Sequence, residues 1–161
     1  MKLMDGETLD ADRITETLWC GATLDQSDFG ALGSLGIKRV VNVEIYKRYS
    51  PEAFARFGID LINIPIRDID QPLSDKQIDR VVASIDEVAS QGEMVYLHCT
   101  AGWQRSPALA ACYLVYKGLS AEEALSMVKR LRPVARFYST HIASVMRYEM
   151  RLRARSASAR R

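Results

Sequence analysis

The stretch Val95-Tyr96-Leu97-His98-Cys99-Thr100-Ala101-Gly102-Trp103-Gln104-Arg105-Ser106-Pro107 decides how this chain is read. Residues 94–97 form an apolar run that suits a buried strand, and Ser106-Pro107 ahead of the apolar residues 108–116 suits a helix start. Between them stand a cysteine, an arginine six positions later, and a glycine that lets backbone amides converge. A helix N-terminus beside a loop of inward-pointing N–H groups binds anions. The same positive field favours the thiolate of a neighbouring cysteine. Arg105 adds a planar fork that can grip two oxygens of a phosphate. One turn therefore joins a candidate nucleophile, Cys99, to an anion cradle.

Outward from this turn the pattern alternates. Strands are expected over residues 14–20, 39–43, 61–66 and 94–99, where β-branched and apolar residues cluster. Helices are expected over 25–35, from Ser50-Pro51 to Gly58, from Ser74 to about Ser90, from Ser106 or Pro107 to Gly118, from Ser120 to about Arg132, and over 139–153. Ser74 with Gln77 and Ser120 with Glu123 have the spacing of capping boxes. This alternation predicts an α/β fold with a mostly parallel central sheet flanked by helices. Reactive groups in such sheets collect at the carboxyl ends of the strands. Both Cys99 and the polar loop over residues 67–72 follow such ends. The 161 residues read as one domain with its core over about 13–150, a loosely held polar first dozen, and a disordered basic tail over about 154–161.

Composition narrows the function. A formal charge of +2 is too small to imply a nucleic-acid partner, and no apolar run is long enough to insert in a membrane. Residues 1–7 lack the apolar core of a signal peptide, which places the chain in the cytoplasm as an expectation. Three cysteines without a CxxC pair argue against a disulfide framework or a zinc site. His98 and His141 are the two histidines, so a multi-histidine metal centre is excluded. No metal and no cofactor are expected.

The string His-Cys-x-x-Gly-x-x-Arg-Ser over residues 98–106 resembles the active-site loop of the cysteine-dependent protein tyrosine phosphatase superfamily. The small size, the strand order and the stretch Leu61-Ile62-Asn63-Ile64-Pro65-Ile66-Arg67-Asp68 look like its dual-specificity branch. The resemblance implies a dual-specificity phosphatase fold and a metal-independent hydrolysis of phosphomonoesters. Cys99 would attack phosphorus and form a cysteinyl-phosphate. Arg105 and the amides of Thr100, Ala101, Gly102, Trp103, Gln104 and Arg105 would bind the phosphoryl group. Ser106 would donate to the cysteine sulfur, and His98 would order the loop. The resemblance also implies an aspartate acid on an upstream loop; Asp68 stands where the family's acid stands, and Asp70 is the alternative. Such a carboxyl must keep a proton in the complex, which a nearby phosphate and thiolate promote.

Other residues read more plainly. Cys20 and Cys112 sit in apolar settings and look like core. His141 reads as a surface or helix residue, and Asp75 and Asp79 as the acidic first turn of a helix. Lys47-Arg48-Tyr49 reads as a solvated turn, with a place near the pocket, gripping acidic substrates, as the alternative. Trp103 and Gln104 depart from the family's usual residues; Trp103 either packs beneath the loop or lines the pocket mouth. The loop holds no lysine, unlike relatives that prefer inositol lipids. The expected partner is a phosphorylated protein. The alternatives are a non-protein substrate (a phosphoglucan or a phosphoinositide) and an inactive phosphate-binding module.

Overall fold

The computed structural model describes residues 9–161. Strands β1 (Ala11–Arg13), β2 (Leu18–Gly21), β3 (Ile37–Asn42), β4 (Asp60–Asn63) and β5 (Met94–His98) form one sheet in the order β1-β2-β5-β3-β4. All neighbours pair in parallel except β1 with β2. The central strands read as continuous apolar runs because both faces are buried. Along β5, Val95 and Leu97 enter one core while Tyr96 enters the other. Val41 and Val40 of β3 divide in the same way.

Helices α1 (Gln26–Ser34) and α2 (Pro51–Ala55) bring Phe29, Leu32 and Phe54 to the smaller core. Helices α3 (Asp75–Ala89), α4 (Arg105–Tyr116), α5 (Ala121–Leu131) and α6 (Ser139–Ala159) close the larger one. Residues 105–115 of α4 are buried throughout, so this helix is apolar all round and runs through the middle of the helical layer. The expected capping boxes are formed: Ser74 with Gln77 on α3, and Ser120 with Glu123 on α5. Helix α4 lacks such a cap, since Gln104 makes no side-chain cap bond and the Ser106 hydroxyl turns elsewhere.

Several boundaries differ from expectation, among them the ends of β4 at Asn63 rather than 66 and of α2 at Ala55 rather than Gly58. The strand expected over 14–20 begins only at Leu18, because the Thr15 hydroxyl accepts from the amides of Thr17 (3.2 Å) and Leu18 (2.9 Å) and closes a turn. Of the expected loose first dozen, residues 1–8 lie outside the described residues. Ala11 and Asp12 instead belong to β1, with Asp12 opposite Cys20. The tail expected to be disordered from about 154 continues α6 to Ala159. Residues 154–159 contain no helix breaker and extend a helix already anchored, with Arg147 on Asp75 (3.2 Å) and Arg151 on Asp79 (2.7 Å). Asp75 stands in the first turn of α3 as expected, whereas Asp79 lies one turn further on, and both are ion-pair partners. Among the described residues, no helix is long and apolar enough to cross a membrane.

Candidate active site

The loop from β5 to α4 lies at the carboxyl end of the sheet, where Gly21 of β2 and Asn42 of β3 end their strands beside His98 of β5. Cys99 is 1% exposed, and its Sγ lies 3.2 Å from Ser106 Oγ. The Ser106 hydroxyl also reaches the Gly21 carbonyl at 3.3 Å. A serine at the second position of α4 therefore connects the cysteine to β2.

Arg105 is 2% exposed and its guanidinium is braced on three sides. Nη1 donates to the Ile66 carbonyl, and Nη2 donates to Asp68 Oδ2 and Thr100 Oγ1, each at 2.9 Å. Nε is buried without a partner. A cavity of about 620 Å³ opens over this arginine, lined by Ile45, Tyr46, Arg67, Asp68, Ile69 and Thr100. Arg105, Asp68, Thr100 and the apolar rim thus share one recess, while Cys99 and Ser106 lie buried beneath the loop rather than in its lining.

Three carbonyls of the loop are held by backbone donors from other segments or from α4. Thr100 O accepts from Thr23 N (2.9 Å), Trp103 O from Arg136 N (2.7 Å) and Gln104 O from Ala108 N (3.1 Å). His98 Nδ1 lies 3.1 Å from Cys99 O, which fixes Nδ1 as the protonated nitrogen. The amides of residues 100–105 donate to no acceptor among the described residues. Gly102 permits this turn, with a φ of +68°. Any Cβ there would also come within 2.7 Å of the Gly21 backbone.

The two aspartates separate clearly. Asp68 contacts Arg105 and lines the cavity, whereas Asp70 accepts from Thr140 Oγ1 of α6 at 2.5 Å. His98 is fully buried between the rings of Tyr49 and Tyr96, and burial pulls its pKa down to about 4. Burial pushes the thiols of Cys20 and Cys112 up to about 12, in keeping with core positions.

Several side chains stand where the sequence did not place them. His141 is on α6, but it is 1% exposed and neither ring nitrogen makes a hydrogen bond of good geometry. Burial lowers its pKa, while Asp70 and Asp68 favour its charged form. Trp103 is 40% exposed and stays outside the cavity, with the Arg136 guanidinium 5.3 Å from its ring centroid. Lys47 pairs with Asp25 (3.0 Å), and the Tyr49 hydroxyl bonds the Leu24 backbone, so this turn braces α1 rather than the cavity. The rim residue is instead Tyr46, 94% exposed. Sequence reasoning missed Tyr46 and also Arg132, whose guanidinium lies fully buried behind the loop.

Comparison with known proteins agrees with this geometry. The model of the family described as dual specificity phosphatase, catalytic domain, matches residues 18–151. Phosphatidylglycerophosphate phosphatase PTPMT1 of Arabidopsis thaliana is 33% identical over 140 residues, covering 85% of this chain and 42% of that protein. Dual specificity protein phosphatase 9 of Homo sapiens is 32% identical over 120 residues, covering 73% of this chain and 30% of that protein. The chain thus spans less than half the length of either curated relative. The crystal structure of PTPMT1 in complex with PI(5)P shares the fold, with a TM-score of 0.85 over 91% of this chain and 99% of that one at 18% identity. By the match to its family model over residues 18–151, the chain belongs to the dual specificity phosphatase catalytic domain family.

Proposed function

We propose that this protein hydrolyses phosphomonoesters through a cysteinyl-phosphate, with phosphotyrosine-containing proteins, with or without phosphoserine and phosphothreonine, as leading substrates. One observation carries the reading. The Cys99 sulfur is held by the Ser106 hydroxyl, and the braced Arg105 fork closes the other end of a loop whose amides have no acceptor among the described residues. A phosphoryl oxygen would give the buried Arg105 Nε the partner it lacks.

In the first step the Cys99 thiolate attacks phosphorus, the ester P–O bond breaks, and Asp68 gives its proton to the leaving oxygen. Arg105 and the amides of Thr100, Ala101, Gly102, Trp103, Gln104 and Arg105 hold the equatorial oxygens as charge gathers on them. In the second step water attacks the phosphocysteine, Asp68 takes the water's proton, and sulfur departs as thiolate. The Ser106 hydroxyl, 3.2 Å from the sulfur, stabilises that departing charge. Asp68 rather than Asp70 is the acid, because Asp68 shares the cavity with Arg105 while Asp70 is held by Thr140. His98 orders the loop through the Cys99 carbonyl. The chemistry proceeds without a metal or cofactor. A reducing compartment such as the cytoplasm suits a thiol nucleophile.

A second reading keeps the chemistry and changes the substrate to a non-protein phosphomonoester. The relative named phosphatidylglycerophosphate phosphatase favours it, as does the apolar rim of Ile45, Tyr46 and Ile69. Turnover of a generic aryl phosphate tests the common chemistry; a wild type without turnover replaces it with a phosphate-binding module. Relative kcat/KM on phosphotyrosyl peptide, phosphoseryl peptide, phosphoglucan and phospholipid substrates then separates the two readings.

A further inference from the structure

A loop offers its amides to an anion only while its own carbonyls are held elsewhere, and a buried carbonyl needs a donor. Thr23, Arg136, Ala108 and His98 supply donors to the two ends of the loop. The middle, at Ala101 and Gly102, has none from the backbone. There Arg132 enters from the end of α5: Nε donates to the Gly102 carbonyl at 2.7 Å, and Nη2 lies 3.5 Å from that of Ala101.

An unpaired guanidinium at zero exposure is costly, and this one is paired. Nη1 donates to Asp12 Oδ2 at 2.8 Å and Nη2 to Asp10 Oδ1 at 3.0 Å. Both carboxylates arrive with the β1 segment, which is bound antiparallel to β2 at the sheet edge. The remaining room at Gly102 is closed by the same guanidinium, which a Cβ there would strike.

We infer that Arg132, held by Asp10 and Asp12, is a positioning residue for phosphate binding: it pulls the Gly102 carbonyl outward and so aims the mid-loop amides into the cavity. The inference rests on the reading of residues 99–105 as a phosphate loop. Arg132 touches neither phosphate nor sulfur; it acts through the backbone it anchors. Misplacing bound groups by about an ångström costs on the order of 10²-fold in rate, so loss of this anchor has a measurable effect.

The test uses the full chain and inorganic phosphate as the probe, titrated calorimetrically well below each variant's melting temperature. Arg132→Met is expected to weaken phosphate binding about tenfold or more and to raise KM for an aryl phosphate. Arg132→Lys, which keeps one donor for the Gly102 carbonyl, recovers part of both. Asp12→Asn loosens the anchor and gives a smaller loss in the same direction. A merely structural role would lower the melting temperature of these variants and leave the phosphate affinity of the folded protein unchanged, and that result overturns the inference. Should Arg132→Met not fold, unchanged phosphate affinity and KM in both Arg132→Lys and Asp12→Asn overturn it equally. A wild type that binds phosphate without turnover sinks the hydrolase reading and leaves this titration decisive, whereas a wild type that binds none overturns both.

Discussion

Asp68 Oδ2 sits 2.9 Å from Arg105 Nη2, a carboxylate that is 41% exposed reaching down to a guanidinium that is 2% exposed. In the proposed mechanism, this pair joins the residue that would grip phosphate to the residue that would protonate the leaving group. An incoming phosphate dianion competes with Asp68 for the same guanidinium.

Asp68→Asn should separate these two tasks. General acids contribute roughly 10²–10⁴-fold, so kcat should fall by about that range on esters with poor leaving groups and stay close to wild type on activated aryl phosphates. Inorganic phosphate should bind at least as tightly, since a competing charge is gone. Asp70→Asn should cost much less. Kinetics across a series of aryl phosphates of graded leaving-group acidity, with phosphate inhibition constants, checks all three; equal and mild losses in both variants would refute the assignment of Asp68.

Cys99→Ser removes the nucleophile and leaves the cradle. Turnover should drop below detection while phosphate esters still bind, because Arg105 and the amides of the loop are untouched. Trapping of a phosphotyrosyl peptide by the variant would support this; residual turnover comparable to wild type would mean that another group attacks phosphorus.

Ser106→Ala should slow the second step more than the first. The hydroxyl lies 3.2 Å from the sulfur and, in the proposed mechanism, would assist its departure as thiolate. Rapid mixing with an activated aryl phosphate should then show a burst of phenol followed by a steady rate about tenfold or more below wild type, of the size expected for one charge-assisted hydrogen bond. Loss of the burst together with the steady rate would assign Ser106 to the first step instead.

His98 makes stability depend on pH. Its folded-state pKa is pulled from 6.5 down to about 4 by burial, so between these values the unfolded chain binds the proton and the folded one does not. Stability is therefore complete above about pH 6.5 and falls as the pH drops toward 4, by an order-of-magnitude total of about 3 kcal/mol from this residue. His98→Asn keeps a donor for the Cys99 carbonyl and removes the titration. Denaturant unfolding at several pH values should show a flatter profile for the variant over that interval; parallel profiles would assign the acid sensitivity to other groups.

Much of this architecture was legible because its signals are local. The β5–loop–α4 turn is contiguous, and the spacing of Cys99, Gly102, Arg105 and Ser106 displays its chemistry directly. The caps at Ser74 and Ser120 are equally self-contained. What escaped depends on partners distant in the chain. Strand β1 is three residues of mixed polarity, and only pairing with Trp19, Cys20 and Gly21 makes it a strand. Arg132 at the end of α5 has the appearance of a solvated helix end until Gly102, Asp10 and Asp12 surround it. His141 lies on the buried side of α6 because the acid loop packs over that helix, and nothing beside it in the chain indicates so. The order of residues 154–159 likewise comes from the anchoring of α6 further back, at Arg147 and Arg151.

The contact between Arg132 and Asp12 spans 120 positions of the chain, and that between Arg132 and Gly102 spans 30. Closing such separations is slow compared with forming a helix or a turn, so the β1 segment and the end of α5 should meet late in folding. The central loop can be continuous from the moment it is made and still lack its final shape until that meeting occurs. Phosphate affinity is then a marker of completed folding: partly folded forms that hold α4 and β5 but not β1 would expose the thiol without the cradle. Phosphate, binding only the finished form, should in turn raise the melting temperature in proportion to the logarithm of its concentration above its dissociation constant.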